Sequence, residues 1–72
     1  MSSRAQVGRG VKLVAPVVVG EGALIGDDCE IGPEVFLESG ASIGRGAVVR
    51  RSIVLRGATV AADTVIEEQV VC

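Results

Sequence analysis

The stretch VVVGEGALIGDDCEIGPEVF, residues 17–36, decides the fold. Its large aliphatics Val19, Ile25 and Ile31, with Leu37 just beyond, fall six residues apart, whereas an amphipathic helix repeats at three and four and a lone strand at two. Outward from there, the same spacing runs back to Leu13 and Val7 and on to Ile43 and Val49 without a miss. Two residues before each stands a smaller one: Ala5, Val11, Val17, Ala23, Cys29, Val35, Ala41 and Ala47. Strand side chains alternate between faces, so each hexad reads as a short strand with two inward residues around one outward residue. Gly10, Gly22, Asp28, Gly40 and Gly46 stand three positions after a large residue, where a tight corner with positive φ suits glycine or aspartate best.

Past Val49 the phase slips. Val54, Val60, Ile66 and Cys72 resume the six-residue spacing over Ser52, Ala58, Thr64 and Val70, so one residue is missing near Arg50–Arg51. A strand–corner unit this short cannot bury its apolar side alone, but three units make a triangular coil, and coils stacked about 4.8 Å apart share one core. The 72 residues hold twelve such units, which predicts an all-β, single-stranded parallel β-helix of about four triangular coils. The β-helix is expected over residues 7–72, with a lead-in at residues 1–6. Residues about eighteen apart then stack: Val7, Ile25, Ile43 and Val60 on one face, Leu13, Ile31, Val49 and Ile66 on the second, and Val19, Leu37, Val54 and Cys72 on the third. A small β-sandwich would require wider, less regular spacing and more aromatics than the single Phe36.

The hexads IGDDCE (25–30), IGRGAV (43–48) and VGEGAL (19–24) resemble those of the hexapeptide-repeat, left-handed β-helix family. The left-handed sense is what that resemblance implies; it departs from the usual right-handed crossover, and spacing alone does not show it. The segment GRGAVVRRSIVLRGATVAADTVIEEQVVC, residues 44–72, narrows the resemblance. It is similar to the C-terminal β-helix of sugar-1-phosphate nucleotidyltransferases, especially mannose-1-phosphate guanylyltransferases, in which an RxS-aliphatic-aliphatic-LxGAxV segment breaks the phase of the hexads. The slip at Arg50–Ser52 falls in that segment, and Arg50 to Val60 is its family-selective part. The resemblance implies a non-catalytic module that holds subunits together, packs on a catalytic domain or takes part in regulation. The alternative is a fragment or subunit of a hexapeptide-repeat acyltransferase whose active site is completed elsewhere.

The chemistry of the side chains sets limits. Hexapeptide acyltransferases use a histidine base and carbonic anhydrases of this fold bind zinc through histidines, yet the sequence contains no histidine. GRGVKLV (8–14) and VGEGALIG (19–26) lack the strand-then-helix setting of a dinucleotide loop, and no P-loop lysine follows them, so the glycines read as corners. The separate nucleotide-binding domain that the resemblance implies for catalysis, with its glycine-rich signature, activating arginine or lysine and metal-binding aspartates, is also missing. No catalytic residue, metal ligand or cofactor is therefore expected in this chain. Asp27, Asp28, Glu30 and Glu34 are close enough in sequence to be weighed as a cation site, and Arg50, Arg51 and Arg56 as an anion site. Stacking offers a simpler account of both, a surface ladder in which Arg9, Asp27–Asp28, Arg45 and Asp63 alternate in sign and Glu38 stacks on Arg56.

A net charge of −2 and no basic run beyond Arg50–Arg51 argue against a nucleic-acid partner. MSSRAQ lacks an apolar core and no apolar run is membrane-spanning in length. With Cys29 and Cys72 too far apart to bond, two reduced thiols point to the cytoplasm.

The outward positions suggest a partner surface. On the first face they are Gln6, Leu24, Ser42 and Thr59 and on the second Lys12, Glu30, Val48 and Val65, the mixture a solvated sheet shows. The third face carries Val18, Phe36, Ile53 and Val71, an apolar stripe expected to form an interface with a second copy or with a nucleotidyltransferase catalytic domain. The competing explanation is that β-rich sequences simply favour such residues.

Overall fold

The computed structural model describes residues 5–72. All of the regular structure among them is short strand: β1 (Gln6–Val7), β2 (Lys12–Leu13), β3 (Val17–Val19), β4 (Leu24–Ile25), β5 (Glu30–Ile31), β6 (Val35–Leu37), β7 (Ser42–Ile43), β8 (Val48–Arg50), β9 (Ile53–Val54), β10 (Thr59–Val60), β11 (Val65–Glu67) and β12 (Val70–Val71). They form three parallel four-stranded sheets, β1-β4-β7-β10, β2-β5-β8-β11 and β3-β6-β9-β12. Each sheet is one face of a parallel β-solenoid of about four turns, consistent with a left-handed β-helix.

The register is the one the spacing predicts on the first two faces. Val7 pairs with Ile25, Ile25 with Ile43 and Ile43 with Val60, and Leu13, Ile31, Val49 and Ile66 pair in the same way. Coils are tied by amides such as Gln6 N–H to Ala23 O at 2.9 Å and Leu24 N–H to Ala41 O at 2.8 Å. The inward large residues from Val19 to Val54, with Val60, are buried together with Ala23, Cys29, Val35, Ala41, Ala47 and Ala58. Alanine on the first face and the larger aliphatics of the other two sheets belong to one buried cluster, small residues leaving room for large ones in a close-packed interior. At the first coil the pattern opens: Val7 and Leu13 remain 37% and 41% exposed.

The corners behave as the residue types dictate. Gly10, Gly22, Asp28, Gly40 and Gly46 all have positive φ. The corner between the second and third sheets differs, since there Glu34, Arg51 and Glu68 take the left-handed conformation in three successive coils. It is also where residues are lost. Ile31 to Leu37 spans six residues, whereas Val49 to Val54 and Ile66 to Val71 span five.

The second of these slips corrects the expected third stack. Val71, not Cys72, pairs with Val54, and Val70 pairs with Ile53. Val71 therefore turns inward and packs against the core, Val70 takes the outward place, and Cys72 is exposed. The physical reason is the Glu67–Glu68 corner, which is one residue short like the Arg50–Arg51 corner above it.

Candidate functional site

Outward positions of the third sheet are set by its register: Val18 opposite Phe36 and Phe36 opposite Ile53. With Val70 below Ile53, four apolar side chains stand one above another at 53%, 49%, 39% and 61% exposure. Three of the expected interface residues, Val18, Phe36 and Ile53, are brought together as anticipated. Val71 is not among them, and Val70 occupies its place. The first sheet alternates Gln6, Leu24, Ser42 and Thr59 and the second Lys12, Glu30, Val48 and Val65, so neither presents a continuous apolar column.

Charged corners border the stripe on both sides. Glu34 and Arg51 line a shallow groove with Ile53 and Val70 on one side. On the other, Glu38 and Arg56 line a second groove with Val18 and Phe36. Arg51 N–H donates to Pro33 O at 2.8 Å and Arg56 N–H to a Glu38 carboxylate oxygen at 3.1 Å, which places each arginine one coil below the corresponding glutamate.

The remaining charges are dispersed. Asp27 accepts the Arg9 N–H at 2.9 Å, and Asp28 and Asp63 donate their amides to the carbonyls of Arg9 and Arg45 at 2.7 and 2.9 Å. This corner ladder has the expected register, but these contacts run through the backbone rather than through guanidinium groups. Among the described residues the ion pairs lie elsewhere, Arg50 with Glu30 at 3.1 Å and Arg51 with Glu67. Both are about two-fifths exposed, so each contributes only about 0–1 kcal/mol. Arg50 and Arg51 thus each face a carboxylate and Arg56 lies at another corner, which does not gather an anion site. Among the described residues no three acidic or cysteine side chains converge to hold a metal. Cys29 is buried, its thiol donating to the Gly44 carbonyl at 3.1 Å.

What distinguishes the lower half is the corner at Arg50–Ser52, where the residue-short turn buries a serine at an inward position. This is the segment whose sequence is family-selective, and the GMPPB C-terminal domain family matches residues 2–72. The chain belongs to that family. No curated protein and no solved structure matches it. Within this GMPPB C-terminal domain the stripe and its two charged borders form the one continuous outward apolar column of the three described sheet faces. No helix among the described residues is long and apolar enough to cross a membrane.

Proposed function

We propose that this domain is the non-catalytic β-helix module of a sugar-phosphate nucleotidyltransferase-type protein, acting in assembly or in packing on the catalytic domain. The observation that carries the reading is the stripe Val18, Phe36, Ile53 and Val70 on a domain whose family name denotes a C-terminal part. Contiguous exposed apolar surface of this kind marks a buried contact far more often than scattered aliphatics do. Phe36 is the anchor, since a large rigid aromatic at the centre of a patch carries most of the energy in such contacts. A cytoplasmic setting, where thiols such as Cys29 and Cys72 stay reduced, fits the same reading.

Sedimentation of the chain, alone and with a separately supplied nucleotidyltransferase catalytic domain, tests it. Association lost in Phe36→Glu and Ile53→Lys with strand content retained supports the assembly role. A wild-type chain that stays monomeric at high concentration and ignores the catalytic domain overturns it.

A further inference from the structure

We infer that the third face pairs with a second copy of this chain about a two-fold axis that sets the two solenoids antiparallel. The inference rests on the assembly reading above and adds to it an occupant and an orientation. Two copies facing each other across this sheet have two symmetric choices, one with the solenoid axes parallel and one with them antiparallel, because a two-fold contact is self-complementary. The charges bordering the stripe distinguish them.

Glu34 and Glu38 flank Phe36 on opposite sides in the second coil, and Arg51 and Arg56 flank Ile53 on opposite sides in the third. With axes parallel, each coil meets its own counterpart and the two borders exchange. Glu34 would then face the partner's Glu38, and Arg51 the partner's Arg56, two sets of like charges. With axes antiparallel, the second coil meets the third and each border meets itself. Glu38 then faces the partner's Arg56, and Glu34 the partner's Arg51, so all four contacts bring unlike charges together; the Glu38–Arg56 pair discriminates more, because Arg51 is already paired with Glu67 of its own chain. The same operation seats Phe36 on the partner's Ile53 and Val18 on the partner's Val70. Like charges opposed across an interface are strongly disfavoured, and complementary ones fix orientation more than affinity.

Size sets the strength. The body is 25 × 23 × 22 Å across, so one face offers on the order of 500 Å² and two together about 1,000 Å². That is the lower bound for a specific interface, and it predicts a weak, reversible dimer that forms at high protein concentration and low salt.

The test exchanges the charges in trans. By sedimentation equilibrium at low salt, the wild type is expected to dimerise, while Glu38→Arg and Arg56→Glu each weaken dimerisation by about tenfold or more. Each variant alone opposes like charges, but a 1:1 mixture opposes unlike ones and is expected to return to wild-type affinity within about threefold. Glu34→Arg mixed with Arg51→Glu repeats the experiment at the other border, should either variant at the first lose its circular-dichroism strand signal. A Glu38→Arg chain that self-associates more tightly than wild type indicates the parallel arrangement and overturns the inference. If the wild type dimerises through Phe36 but neither mixture restores pairing, the antiparallel geometry is wrong and the assembly reading stands. A monomeric wild type that binds the catalytic domain likewise overturns self-pairing and spares that reading, whereas one that binds neither overturns both.

Discussion

Gln69 donates its amide to the hydroxyl of Ser52 at 3.1 Å, and that hydroxyl donates in turn to the Arg50 carbonyl at 2.7 Å. The corresponding amide two coils earlier, that of Val35, reaches the Pro16 carbonyl directly at 3.2 Å. Where the corner loses a residue, a side chain thus does what a carbonyl does elsewhere. Ser52 is 1% exposed, so its hydroxyl cannot turn to water instead. Ser52→Ala should lower unfolding stability by about 1–2 kcal/mol, the penalty for leaving a half-buried amide unpaired. Urea unfolding reads this directly, and a wild-type midpoint would show that the bridge adds nothing.

Ile43 is buried at the centre of the first face, between Ile25 and Val60. Ile43→Asp places an unpaired carboxylate in that stack, a change large enough to unfold a domain this small. Ile43→Val removes one methylene and should cost about 1 kcal/mol. Far-UV circular dichroism and thermal melting separate the two, and a folded Ile43→Asp chain contradicts the stacked core.

Two glycines with positive φ should respond differently to alanine. Gly32, at φ 108°, has no room for a Cβ, which would overlap the Val14 carbonyl of the coil above. Gly57, at φ 73°, has nothing within 4 Å of that position. Gly57→Ala should therefore lose only the conformational term, about 1–2 kcal/mol, while Gly32→Ala adds a backbone clash and loses several. Equal losses in chemical denaturation would remove the steric part of this explanation.

The purified chain should turn over no nucleotide-sugar, acyl-carrier or carbon dioxide substrate. The sequence has no histidine to serve as a base and no phosphate-cradling loop. Turnover above a buffer control in any of the three assays would point to a site built from other groups.

Most of this architecture is legible from residue spacing because the core needs only one large aliphatic per strand, and nearly every strand supplies one. The slip at Arg50–Arg51 is visible because Val54 and Val60 re-establish the period on its far side. The slip at Glu67–Glu68 is not. Val70, Val71 and Cys72 are consecutive and all apolar, so the last strand fits the pattern in either phase, and only the pairing of Val71 with Val54 decides it. The apolar column was readable for the same reason as the core, except at Val70, where that ambiguity reversed inside and outside. Stacked charges were readable as neighbours, but whether Asp27 would meet the Arg9 guanidinium or its amide depends on corner geometry. The bridge through Ser52 is likewise a three-dimensional matter, for the spacing marks that position only as small.

The half-wet first coil, with Val7 and Leu13 more than a third exposed while Ile25 and Ile31 below them are sealed, means that burial here is a property of having neighbours on both sides. A solenoid of this kind behaves like a short zipper, in which interior rungs are held twice and terminal rungs once. Amide protons of Leu24 and Glu30, bonded between the two middle coils, should exchange only on complete opening. Those of Gln6 and Lys12, tied to a single neighbouring coil, should exchange sooner by fraying. Any body that seats on that end would slow them, so the exchange rates of two amides report whether the zipper has been extended.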